Sequence, residues 1–175
     1  LTRKDFLSVI SGFDPPDSKL PFELPDELFL KEIGLNDSQY ITIHDGWEVN
    51  VKQTSVRSTK SYPVDLFARA IVLIKKQYPS IKIVQVGSNT DYVIEGVDIN
   101  LLELTNLAQC ALILKQAKAH IDTESGLVHL ATSLGTSCVV MFGPTNISYY
   151  GYAENINIKA KECGNCMHVT DTWME

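Results

Sequence analysis

The sequence predicts an α/β domain, a Rossmann-like parallel sheet wrapped by helices, on three observations. From Tyr40 onward, short β-rich runs alternate with segments of helical apolar period. One of those runs passes straight into a Ser-Gly turn and a helix, in "HIDTESGLVHLATSLG", residues 120–135. And 45% of the 175 residues are hydrophobic against 21% charged, enough for one domain with its own core.

Residues 1–39 are irregular and proline-bearing ("DPPDSKLPFELPDEL") and are expected to be an interdomain linker with one short helix near Asp26 to Ile33. "YITIH", residues 40–44, is the first strand, and a long polar stretch from Asp45 to Ser61 follows it. "PVDLFARAIVLIKKQYP" reads as a helix, because Pro63 suits its first position, Asp65 its first turn and Lys75-Lys76 its last. Phe67, Ala70, Ile71 and Ile74 form its inward stripe, and Pro79 stops it. "IKIVQV" is the next strand and ends at Gly87-Ser88. After a short "GVDIN" segment, Thr105 is placed to cap a helix running to Gln116, with Leu107, Ala108, Ala111 and Leu114 inward. "AHID" is a strand, Ser125 to Leu134 a helix closed by Gly135, and "CVVMF" another strand. The expected divisions are thus 1–39 linker, 40–160 domain, and 161–175 a truncated cysteine-containing segment.

Charge and cysteine usage narrow the function. The net charge is −6 and no Lys/Arg cluster exceeds a pair, which argues against binding nucleic acid over a broad surface. A single small anion, held by backbone groups and one lysine, is compatible with that balance. No apolar run approaches the ~20 residues a spanning helix needs, and the N-terminus lacks a secretory pattern. Cys110 and Cys138 lie within apolar segments and read as core thiols in a reducing compartment, so the cytoplasm is expected. Opening on Leu1 rather than Met, the chain is expected to come from something longer.

Ligands of parallel sheets bind at the carboxyl ends of the strands, and several candidates fall there. In the 120–135 stretch, Leu127, Leu130, Ala131 and Leu134 are spaced to pack on the sheet, leaving Ser125, His129 and Thr132 on the other side. The Ser125 and Gly126 amides then lie at a helix start, where backbone N–H groups hold phosphate and glycine permits close approach. An ordinary βα turn with a structural His129 is the competing reading. Glu124 could grip sugar hydroxyls, but its sequence setting by itself favours a helix-start acid stabilised by the macrodipole. Lys60 can reach a phosphate cleft as a point charge or remain a solvated loop lysine. Asp45-Gly46 directly follow the first strand, and Gly143 and Thr145 of "FGPT" follow a later one; both are also generic turn signals. Cys163 and Cys166 in "CGNC", with His168 nearby, have the spacing of metal ligands or of a redox pair, but make only half a metal site.

Taken together, "TKSYPVDLFARAIVLIKKQYPSIKIVQVGS", "INLLELTNLAQCALILKQAKAHI" and "TESGLVHLATSLGTSCVVMFGPT" resemble, in order, segments of the heptosyltransferases of glycosyltransferase family 9. The likeness covers about Tyr40 to Thr145. It implies the C-terminal, donor-binding half of a two-domain GT-B fold, with acceptor site and catalytic base in the other half. It further implies a nucleotide-sugar donor (ADP-heptose or another), an inverting transfer to a glycan or lipid-linked acceptor in lipopolysaccharide or surface-glycan synthesis, and a location in the cytoplasm or at the inner-membrane face. Donor phosphates would rest on Ser125–Gly126 and near Lys60, Glu124 would touch the sugar, and Gly87, Ser88 and Leu102 to Leu104 would flank ribose and base. No metal is required for such transfer, so metal at the cysteine pair would be structural. Two departures stand out: Glu124 replaces the commoner Asp, with Asp122 a rival match, and the Asp45–Lys60 loop is longer than usual. The competing functions are a sugar-nucleotide epimerase of the same architecture and a non-catalytic, metal-organised α/β module.

Overall fold

The computed structural model describes residues 9–12, 22–36, 39–46, 60–87, 93–162 and 166–167. Its elements are α1 (Leu28–Glu32), β1 (Tyr40–Ile43), α2 (Val64–Gln77), β2 (Lys82–Gln85), β3 (Ile99–Asn100), α3 (Leu107–Gln116), β4 (His120–Thr123), α4 (Gly126–Ser133), β5 (Cys138–Phe142), α5 (Ile147–Tyr150) and β6 (Ile156–Lys159). The strands form one six-stranded, wholly parallel sheet in the order β3-β2-β1-β4-β5-β6. This is the doubly wound Rossmann order, so the chain reverses direction of winding between β1 and β4. In sheets of this order ligands bind outside the carboxyl ends of those two strands.

The four central strands read as the interior of a parallel sheet should, whereas β3 and β6 at its edges are more exposed. All four residues of β1, Tyr-Ile-Thr-Ile, are buried, because helices cover both faces. Alternation sends Ile41, Ile43 and Ile83 to one face, where they meet Phe67 and Ile71 of α2 together with Ile94. Tyr40, Val84, Val86, Cys138, Val140 and Phe142 go to the other, against α1, α3, α4 and α5. On that second face the Tyr40 hydroxyl donates to the Ile113 carbonyl (2.8 Å), tying α3 to β1. Burial pushes the thiols of Cys110 and Cys138 up to about 11, as befits core residues.

The helices follow local signals with some shifts. α2 carries Asp65 in its first turn and Lys75 and Lys76 in its last, but Pro63 occupies the cap rather than the first helical position. Phe67 and Ile71 are its buried residues, and Ile74 packs beside them. α3 is capped by Asn106, not Thr105: its side chain accepts from Gln109 N–H and Gln109 returns a bond to Asn106 N–H. That shifts the inward face to Cys110 through Leu114 and leaves Leu107 59% exposed. In α4 the fully buried pair is Val128 and Ala131, with Leu127, Leu130 and Leu134 packed at the edge of the same core. Gly135, at φ +82°, closes that helix. α1 falls where a short helix was expected, and Leu30 and Leu35 beside it are buried in the core. No helix among the described residues is long and apolar enough to cross a membrane.

Candidate functional site

The turn from β4 into α4 stands at the β1/β4 reversal. Ser125 caps α4, its hydroxyl oxygen accepting the Leu127 N–H at 3.1 Å. Gly126 begins the helix, and a Cβ built on it would meet nothing within 4 Å among the described residues, so they leave the space over the helix start open. Lys60, 64 positions earlier, reaches this turn: its Nζ lies 2.9 Å from Glu124 Oε2. On the other carboxylate oxygen, His129 Nε2 stands at 3.7 Å, and His129 Nδ1 is 2.8 Å from the Tyr152 hydroxyl. Burial opposes ionisation of Glu124, but the His129 and Lys60 contacts outweigh it and hold the carboxyl below its ordinary value. Lys60, Glu124, Ser125, Gly126 and His129, spread along the sequence, therefore form one cluster. Thr132 does not join it; its hydroxyl accepts from Asn155 Nδ2 at 2.7 Å, toward β6.

Beneath the cluster lies a polar network that begins inside the sheet. Strand register sets Thr42 beside His120 and Ile43 beside Ile121, so His44 comes alongside Asp122. Asp122 is fully buried and accepts from four donors: His44 Nδ1 (2.9 Å), His120 Nε2 (3.2 Å), its neighbour's Thr123 N–H (2.7 Å) and the Ser125 hydroxyl. Because a carboxylate only accepts, both histidine nitrogens facing it must carry hydrogen. His120 Nδ1 is then free to accept from the Thr42 hydroxyl at 2.9 Å. Burial works against the Asp122 charge, yet the two histidines hold its carboxyl well below the usual carboxylate range. The same pairing, aided by Asp45, overcomes burial to raise the His44 pKa above its ordinary value. One carboxylate thus fixes both the residue that follows β1 and the cap of α4. Asp122, the rival match to Glu124, is spent on this internal role.

The remaining candidates border the same ends of strands. Gly46, at φ +68°, is required by close approach: a Cβ there would stand 1.7 Å from Thr123 Oγ1. Asp45 beside it is buried. Gly87 accepts the Glu103 N–H at 3.1 Å, and a Cβ on Gly87 would fall 2.8 Å from the His44 ring and 3.2 Å from Leu102. Leu104, 69% exposed, lies on the adjoining segment. Gly143 and Thr145 follow β5, one strand further along, with Thr145 buried. Ser88 and Cys163 lie outside the described residues, as do His168 and most of the Asp45–Lys60 loop. Cys166 is a partly buried free thiol, and no group of three metal-ligating side chains occurs among the described residues.

The family model of glycosyltransferase family 9 (heptosyltransferase) matches residues 18–173, nearly the whole chain. The chain belongs to glycosyltransferase family 9. Solved structures agree on the fold of this family 9 chain. A glycosyl transferase family 9 protein from Veillonella parvula DSM 2008 superposes with TM-score 0.62 at 23% identity, covering 82% of this chain and 42% of that one. The ADP-heptose lps heptosyltransferase II of E. coli gives 0.63 at 19% identity, over 87% and 49% of the two chains. The E. coli heptosyltransferase WaaC, solved with ADP, gives 0.57 at 18%, over 89% and 48%. The family 9 chain therefore spans less than half the length of each. No curated protein matches it in sequence.

His44, His120, Thr123 and Tyr152 were not singled out by sequence reasoning. A histidine at the end of an apolar strand has no local signature; only the register with β4 reveals its partner.

Proposed function

We propose that residues 40–160 form the donor-binding unit of an inverting glycosyltransferase that takes a nucleoside-diphosphate sugar, ADP-heptose or a close relative, in lipopolysaccharide or surface-glycan synthesis. The observation that carries this reading is the open helix start at Gly126 flanked by the Lys60–Glu124 pair. The donor's diphosphate would lie on the Ser125–Gly126 amides, where the helix dipole and Lys60 stabilise negative charge as the leaving group departs. Swinging toward phosphate, Lys60 would free Glu124 Oε2 to accept from sugar hydroxyls, with His129 remaining beside the other oxygen to favour the carboxylate. Gly87 with Leu102 to Leu104 would border ribose and base, and Asp45-Gly46 and Gly143–Thr145 would close the sides. Heptose as the sugar rests on the family and on the ADP-binding heptosyltransferase that shares the fold. A catalytic base and an acceptor groove would come from outside this unit, so the chain by itself should bind donor and not transfer it.

Calorimetric titration with ADP, GDP and UDP tests the reading. Selective binding of one nucleotide is expected, abolished in Gly126→Val and weakened ~10-fold or more in Lys60→Ala, the scale of one charge-assisted hydrogen bond. Binding of none of the three would refute it.

A further inference from the structure

The histidine at the end of β1 has a free edge. Its Nδ1 is held by Asp122 at 2.9 Å, and its side chain is 13% exposed at the carboxyl end of the sheet. Its Nε2, on the opposite side of the ring, has no protein partner among the described residues. The lack of a side chain at Gly87 leaves room for that edge, since a Cβ there would stand 3.2 Å from Nε2. The ring therefore lies over the end of β1, with Asp122 of β4 on its Nδ1 side and Gly87, just after β2, on its Nε2 side, while the same Asp122 holds the Ser125 hydroxyl at the start of α4. We propose that His44 contacts the ligand, its Nε2–H donating to an oxygen of the bound nucleoside diphosphate, with Asp122 as the positioning residue behind it. This rests on the donor-binding reading above.

The electrostatics suit that task. The titratable groups facing His44 are Asp122 and Asp45, with His120 behind Asp122, and both acids favour the imidazolium. When the ring loses a proton, the one on Nδ1 stays with Asp122, so Nε2 turns from donor to acceptor. Affinity for the diphosphate should therefore fall as pH rises past the raised His44 pKa.

Two substitutions separate ligand contact from a purely structural role. His44→Asn keeps an N–H near Nδ1 for Asp122 and leaves nothing at Nε2; His44→Gln places an N–H near Nε2 and gives up Asp122. Titration with ADP should show ~10-fold or greater weakening in His44→Asn, the loss of a charge-assisted bond, and an affinity nearer wild type in His44→Gln. The alkaline fall in affinity should vanish in both. A measurement on the wild-type protein avoids any folding defect: the histidine side-chain ¹⁵N resonances should show His44 Nε2 shifting when ADP saturates the chain. Wild-type affinity in His44→Asn together with an unmoved Nε2 resonance would overturn the inference while leaving donor binding intact. Absence of ADP, GDP and UDP binding to the wild type would remove both.

Discussion

The two faces of the central sheet are built from different chemistry. Toward α2, Ile41, Ile43, Ile83, Phe67 and Ile71 form an aliphatic and aromatic layer whose buried polar side chain Gln85 accepts the Ile94 N–H at 2.8 Å. Toward α3 and α4, an apolar core is interrupted by the column Thr42, His120 and Asp122, which climbs to the cap of α4. The first face gains from area removed from water, about 1.5–3 kcal/mol for each large side chain fully buried. The second face carries ionised and hydrogen-bonded groups that gain little net stability, because desolvation consumes most of what pairing returns. What the column supplies instead is placement: His44 and Ser125 cannot move independently while they share one carboxylate. Stability and site geometry thus reside on opposite faces of the same strands.

The largest test of this division pairs Phe67→Ala with Asp122→Ala. Each should lower folding stability by ~3–5 kcal/mol, the first by opening a cavity and the second by stranding buried donors and a cation. Their effects on ligand should part. Nucleotide affinity per folded molecule is expected to survive Phe67→Ala and to collapse in Asp122→Ala, as denaturant melts combined with titration would show. Equal losses of affinity would erase the distinction between the faces.

Gly46→Ala should cost about 2 kcal/mol, from a left-handed backbone and a clash with the Thr123 hydroxyl. Gly126→Val, with open space at its Cβ, should by contrast leave the melting temperature within a few degrees while removing nucleotide binding. A large destabilisation by Gly126→Val would mean that the helix start is packed rather than open.

The pH dependence of stability sharpens the same contrast. His44 has a raised pKa, so its contribution is fully present below its unfolded value of ~6.5 and fades as pH rises through the folded value. Asp122 and Glu124 have lowered pKa values, so theirs is present above ~4 and fades as pH falls through the folded values. Denaturation midpoints should therefore decline on both sides of a plateau between about pH 4 and 6.5, and His44→Asn should flatten the alkaline limb. An unchanged alkaline limb in that variant would place its origin elsewhere. The smallest effect belongs to Lys60→Ala: its pair with Glu124 is partly exposed and worth ~1 kcal/mol or less to folding, despite its expected weight in binding.

What the sequence determined by itself was everything written in near neighbours. The alternation of β1, α2, β2, α3, β4, α4 and β5 was legible because apolar period, caps and helix-ending glycines act over three or four residues. The Ser125–Gly126 helix start was legible for the same reason. The cap of α3 slipped by one residue, since Thr105 and Asn106 are both good caps and only the return bond from Gln109 decides between them. β6 escaped notice because "INIK" is four residues long at a sheet edge, with Ile156 and Ile158 exposed. The sequence motifs placed Lys60 and Glu124 in one site only through the family resemblance; their ion pair depends on a chain reversal 64 residues long. Most of all, tertiary structure alone decided that His44 meets Asp122, 78 positions away. Neither residue carries a local signal for the other, and the pairing exists because β1 lies beside β4 in a register that brings their polar ends level.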